Sequence, residues 1–147
     1  METMIERLYK TMNSIDKQWS EKVEPASQKQ IHVLEEIADL KHHGKSISYV
    51  YLLFLEEIGQ NDNELLKQEW DGYTEVNIDS ILRDYLRYID EFDIDMNEHM
   101  LFSTHWSKSV LFLKLTEGEN PPVYKFDGQL FSDSFESYLI SNIKVMV

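Results

Sequence analysis

The sequence predicts an α+β fold, a mainly antiparallel sheet flanked by N-terminal helices and covered by a C-terminal closing helix. Three observations lead there. Through most of residues 1–89 apolar side chains recur at steps of three and four, which places them on one side of a helix. From residue 99 the pattern changes to short runs of strand-favouring residues bounded by turn signals. A helical repeat then returns from Ser132 to Ile143.

Taken in order, Ile5, Leu8, Met12, Ile15 and Trp19 give one apolar face to a helix from about Glu2 to Trp19. Ser20 to Ala26, with Pro25, reads as a connector within a single domain spanning residues 1–147. Ser27 followed by Gln30 has the spacing of a capping box, in which each side chain satisfies a backbone amide of the other. Ile31, Leu34, Ile37 and Ala38 continue that second helix, which should end near His43 and Gly44. Ser48 is placed to cap a third, with Tyr51, Leu52, Leu55 and Ile58 on one side and Gly59 stopping it in a left-handed conformation.

Residues 60–76 have no clear period. Leu65 and Leu66 suit a short helix or a strand, and Asp71-Gly72 is a turn signal. Asn77 then caps an amphipathic helix whose buried face is Ile78, Ile81, Leu82, Tyr85 and Ile89. Met100 to Thr104 and Ser109 to Leu115 read as strands joined by a loop of hairpin length. In the second, both alternating sets are apolar, Val110 with Phe112 and Leu111 with Leu113 and Leu115, as in a central strand covered on both faces. Gly118, Pro121 and Pro122 mark a turn, Val123 to Phe126 a third strand, and Asp127-Gly128 a further turn. Ser132 opens the last helix, with Phe135, Tyr138, Leu139, Asn142 and Ile143 at helical spacing.

The chain has 147 residues and no cysteine, so a disulfide framework, a thiolate metal site and a cysteine nucleophile are excluded together. Its longest apolar run, Val50 to Leu55, is six residues, and the start from Met1 to Tyr9 contains Glu2 and Glu6. These features predict a cytoplasmic protein without a membrane span or an export signal. The net charge is −13, and its distribution is more informative than its size. Residues 56–98 hold 14 acidic and 3 basic side chains, a sum of −11, whereas 1–55 and 99–147 each sum to −1. Such a field repels a phosphate backbone and steers a basic partner inward, so a protein partner is expected and nucleic acid is not.

Signatures of catalysis are missing. There is no glycine-rich phosphate loop, no H-E-x-x-H and no G-x-S-x-G elbow. His42 and His43 sit at a helix C-terminus, where imidazolium suits the dipole, and His32 falls on the exposed side of its helix. His99 and His105 flank the first strand, with Trp106 beside the second, and lack a third convergent ligand. Asp93, Asp95 and Asn97 start like a calcium loop, but Glu98 stands where glycine is needed and Thr104 where the bidentate glutamate belongs. No cofactor and no metal are expected.

What remains is the acidic cluster with aromatics interleaved. The predicted partner-binding residues are Glu69, Trp70, Asp71, Tyr73 and Glu75 before the Asn77-capped helix, and Asp90, Glu91, Asp93 and Asp95 after it. A charged rim around aromatic anchors divides steering from affinity. Phe92 and Glu98 belong to the same stretch, and the alternative for all three aromatics, Trp70, Tyr73 and Phe92, is a place in the core.

The order and spacing of several short motifs resemble the SUKH superfamily, whose bacterial members are mostly immunity proteins of polymorphic and contact-dependent toxin systems. They are Ile31 with Glu35-Glu36, YLLFLEEIG (Tyr51 to Gly59), LFLKL (Leu111 to Leu115), PPVYKF (Pro121 to Phe126) and SFESYL (Ser134 to Leu139), spread over about two-thirds of the chain. Ile47-Ser48 stands in place of the family's Leu-Pro, and Asn61-Asp62-Asn63 in place of its glycine-rich stretch. The resemblance implies an α+β fold, no catalysis, and the neutralisation of a cognate toxin, commonly a nuclease. Carboxylates lying where phosphates would lie suit a basic nuclease. A regulatory or scaffolding module is the second function the resemblance implies.

Overall fold

The computed structural model describes residues 4–15, 18, 21–42, 46–61, 77–87, 98–103, 111–125 and 128–146. Among these, the elements run α1 (Met4–Ile15), α2 (Gln28–Lys41), α3 (Tyr49–Ile58), α4 (Ile78–Arg87), β1 (His99–Ser103), β2 (Leu111–Lys114), β3 (Val123–Lys125), β4 (Leu130–Ser132) and α5 (Phe135–Met146). The strands form one antiparallel sheet in the order β1-β2-β3-β4, so the fold is α+β as the sequence predicts.

The helices bury the faces that their periodicity picks out. Ile5, Leu8 and Met12 of α1, Ile31, Leu34 and Ala38 of α2, and Ile78, Ile81 and Tyr85 of α4 all lie in the core. The capping box of α2 is formed, with Ser27 N–H donating to Gln30 Oε1 at 2.8 Å and Gln30 N–H to Ser27 Oγ at 3.1 Å. Asn77 Oδ1 likewise caps α4 by accepting from Ser80 N–H at 3.0 Å. In β2, Phe112 and Leu113 point to opposite faces and are both 0% exposed, which makes it the doubly covered central strand its sequence suggests.

On one face of the sheet, α3 and α5 meet Phe102 of β1 through an aromatic cluster. Phe135, the first residue of α5, receives three edge-to-face neighbours: Phe102 at 5.3 Å, Phe54 at 5.5 Å and Tyr51 at 5.6 Å between ring centres. Such pairs add about 0.5–1.5 kcal/mol each to the value of burying the rings. Arg7 of α1 reaches across to Glu136, its Nε donating to the carboxylate at 3.0 Å, and so ties the first helix to the last.

Three expectations are corrected. The described part of α1 runs to Ile15, and the expected extension to Trp19 falls on residues outside the described ones; α2 ends at Lys41, near the expected His43. Gly59 is not left-handed; it continues the right-handed turn at φ −66°, with its N–H bonded to Leu55 O at 3.1 Å. Its small size is required for another reason: a Cβ there would lie 2.7 Å from the Leu55 backbone and 3.0 Å from the Ala26 methyl. Ser48 occupies the cap position of α3, but its hydroxyl makes no cap bond and is buried. Glu119, from the turn between β2 and β3, does that work instead, accepting Tyr49 N–H on its carboxylate at 3.1 Å and Val50 N–H on its carbonyl at 3.0 Å. A carboxylate at a helix N-terminus also meets the positive end of the dipole. Finally, Ser132 does not open the last helix; it ends β4, and the hydroxyl of Ser134 caps α5 by accepting Ser137 N–H at 3.1 Å.

The β3–β4 hairpin closes through Gly128, whose φ of +85° a side chain would strain. Its N–H donates to Lys125 O and the Lys125 N–H to Gln129 O, both at 2.9 Å.

Candidate partner-binding site

All nine predicted partner-binding residues, Glu69, Trp70, Asp71, Tyr73, Glu75, Asp90, Glu91, Asp93 and Asp95, lie outside the described residues, as do Phe92, His43, His105, Trp106 and the Asp93-Asp95-Asn97 triplet. What the structure does define is the frame from which both acidic stretches leave. That frame is α4 with its contacts.

At the N-terminal end of α4 the chain departs after Asn61 and is back at Asn77. These two points are held together: Ile78 N–H donates to Gly59 O at 2.8 Å, and Asn61 pairs with Glu24 in an isolated antiparallel bridge. Side chains reinforce the closure. Gln30 Nε2 donates to Gln60 Oε1 and to Asp79 Oδ1, both at 2.8 Å, and Gln60 Nε2 donates to Asp79 Oδ2 at 3.2 Å. One carboxylate thus joins α2, the end of α3 and the first turn of α4. The second acidic stretch leaves beyond Arg87, about 14 Å away along a helix rising 1.5 Å per residue.

The body of α4 is fixed by a buried polar junction. Tyr85 OH accepts the backbone N–H of Leu101 at 2.8 Å and lies 2.9 Å from His42 Nε2. A phenol can accept one hydrogen bond and donate another, so the same oxygen serves both the Leu101 amide and the His42 ring. His42 is 0% and Tyr85 2% exposed. Burial, first of all, pushes the Tyr85 phenol well above its ordinary pKa; the Leu101 amide works against that rise and the nearby Tyr51 phenol adds to it. His42 is expected to serve the C-terminus of α2 through its imidazole; the structure instead buries the side chain, which turns inward and links α2, α4 and β1. The pair is sealed from solvent.

Five of the 14 acidic residues in 56–98 are described, and several of them serve the fold. Asp79 holds the two glutamines, and Asp84 is buried beside the Arg83 guanidinium at 3.0 Å. Glu57 accepts from Tyr9 OH at 3.3 Å; burial and that carboxylate together push the Tyr9 phenol up to about 12. Glu98 uses its carbonyl to accept Leu115 N–H at 2.7 Å. The nine remaining carboxylates are those of the two stretches that α4 separates.

Among the histidines, His32 is on the surface, as expected, and its Nε2 lies 3.1 Å from Glu36 Oε1. His99 is buried with its ring edge-on to Tyr124. Among the described residues no three His, Asp or Glu side chains converge as a metal ion requires, and no helix is long and apolar enough to cross a membrane. The sequence reading missed the His42–Tyr85–Leu101 junction, the Glu119 cap and β4. Tyr85 stood on a predicted buried face with a hydroxyl to satisfy, and that was the one available signal. The chain matches no family model, no curated protein and no solved structure.

Proposed function

We propose that this chain is a cytoplasmic immunity protein that binds and neutralises a cognate basic toxin, a nuclease by preference, without catalysis of its own. The observation that supports this best is the concentration of −11 of the −13 net charge in residues 56–98. A partner that grips phosphate would be steered to such a surface from a distance and held by carboxylates in place of phosphates. The hydrogen-bonded closure at Gly59–Ile78 and the Tyr85 junction are consistent with a rigid support for both acidic stretches. The motif resemblance to the SUKH superfamily points the same way.

The test is genetic and kinetic. The gene should lie directly downstream of a large toxin gene with a variable C-terminal domain, and co-expression should rescue cells from that domain. Replacing Asp90, Glu91, Asp93 and Asp95 by their amides should slow association with the toxin domain about tenfold or more and flatten its salt dependence, with the fold intact. Unchanged association rates would remove this surface from the interface. A gene with no toxin neighbour and no rescue would favour a regulatory or scaffolding module instead.

A further inference from the structure

The donors and acceptors of Gln30, Gln60 and Asp79 fit together in one way only. Gln30 Oε1 accepts the backbone N–H of Ser27 at 2.8 Å, so the amide nitrogen of Gln30 has to face the other two side chains. Both hydrogens of that nitrogen are engaged, one on Gln60 Oε1 and one on Asp79 Oδ1, each at 2.8 Å. Gln60 has thereby turned its oxygen to Gln30 and its nitrogen to Asp79 Oδ2, at 3.2 Å. The polarity of the network is thus set by a backbone donor at one end and by an acceptor-only carboxylate at the other. Turning either amide over would set donor against donor and acceptor against acceptor. Its position in the chain matters as much. Gln60 follows Gly59, Asp79 follows Ile78, and the Ile78 N–H bonds the Gly59 carbonyl at 2.8 Å. The side chains therefore brace the point where the chain departs after Asn61 and returns at Asn77.

We propose that Gln60 and Asp79 form a polarised latch in which Asp79 is a positioning residue: its carboxylate fixes the two ends of the 62–76 interval and does not steer the partner. The positioning role rests on the reading of that interval as partner-binding. Asp79 counts among the 14 acidic residues of 56–98, yet each of its oxygens already holds an amide of the protein. A carboxylate in the first turn of α4 also suits the helix dipole, which is the competing account of this residue. Polarity separates the two. The latch needs one carboxylate facing two amides, and position 60 can supply it as well as position 79. With Gln60→Glu and Asp79→Asn together, the new carboxylate accepts from Gln30 and from the new amide, whose oxygen accepts the second Gln30 hydrogen. All three bonds are kept and the chain stays at −13. Asp79→Asn alone sets donor against donor, and Gln60→Glu alone sets carboxylate against carboxylate.

Hydrogen exchange of the free, full chain reads the latch. Asp79→Asn and Gln60→Glu should each speed exchange at the Ile78 amide at least about fivefold, and the double variant should return it to within about twofold of the parent. The Leu101 amide, bonded to Tyr85 farther along α4, should not change and serves as the control. Against the toxin domain identified by the rescue assay, Asp79→Asn should speed dissociation several-fold, roughly, with association changed less than about twofold, and the double variant should recover the parent rate. Single variants without effect at Ile78, a double variant no better than Asp79→Asn, or a rise at Leu101 as large as that at Ile78 would each overturn the latch. The second of these is what the dipole account expects. Slower association with unchanged dissociation would make Asp79 a steering carboxylate and overturn its positioning role. Absence of a toxin removes the functional reading alone, because the exchange measurements need no partner.

Discussion

Two parts of the interior are built from different materials. Where α3 and α5 cover the sheet, Tyr51, Phe54, Phe102, Phe135 and Tyr138 interlock by ring edges and faces. Along the outer edge of β1, α2 and α4 meet through the His42–Tyr85–Leu101 hydrogen bonds. The aromatic part works by contact area and tolerates a defect: the Tyr51 hydroxyl is buried within it with no hydrogen-bond partner. The polar part depends on direction instead, because one oxygen, Tyr85 OH, bonds Leu101 N–H and His42 Nε2 at once. Packing energy is divisible among many neighbours, whereas a buried hydrogen bond is lost whole when one of its groups is removed.

That contrast can be tested from its largest effect downward. Phe135→Ala should destabilise the chain by about 3–5 kcal/mol, as large-to-small changes at fully buried aromatics do. Urea unfolding measures it, and a loss below about 2 kcal/mol would mean that the three surrounding rings close the gap. Tyr85→Phe removes one oxygen yet takes a hydrogen bond from both Leu101 N–H and His42 Nε2, so about 2–4 kcal/mol is expected. A cost no larger than that of a surface change would show that the two bonds carry no stability. A double-mutant cycle with His42→Phe would sharpen the point by giving strong coupling.

Alkali should act on both parts at once. The Tyr51 and Tyr85 phenols are raised above 10.0, chiefly by burial, so the folded state holds protons that the unfolded state has released. Their contribution is fully present below pH 10 and is lost as pH rises above it, at about 1.4 kcal/mol per group per pH unit. Stability measured across that range should fall, and phenolate absorbance from these two should appear only with unfolding; early titration in the folded state would contradict their burial. The smallest effect is the reverse of the others. Tyr51→Phe deletes an unsatisfied hydroxyl and should be neutral or stabilising by up to about 1 kcal/mol, so that two tyrosines of equal burial respond with opposite sign. A marked loss would reveal a partner for that oxygen.

Local signals in the sequence were readable and distant ones were not. Periodicity located the buried faces of α1, α2 and α4, and the Ser27/Gln30 and Asn77 caps formed as their spacing implied, because each depends on residues within one turn. The cap of α3 comes from Glu119, 70 residues beyond Tyr49, and no local pattern announces it. β4 escaped because Leu130, Phe131 and Ser132 are too few to alternate, and Ser132-Asp133 looks like the start of a helix. Gly59 was recognised as special for the wrong cause: a crowded approach to Ala26 rather than a left-handed turn. The candidate site was visible as charge, since charge adds along the sequence; how its carboxylates are arranged depends on contacts that composition does not encode.

The closure between Gly59 and Ile78 has a consequence for how such a protein can diversify. Because the two ends of the 62–76 interval are fastened by groups outside it, namely the Gly59 carbonyl, Gln60, Asp79 and Gln30, the interval can be exchanged or resized without altering any of those bonds. The named bonds of this socket draw on no side chain of the interval, so substitution within 62–76 leaves each of them its donor and its acceptor.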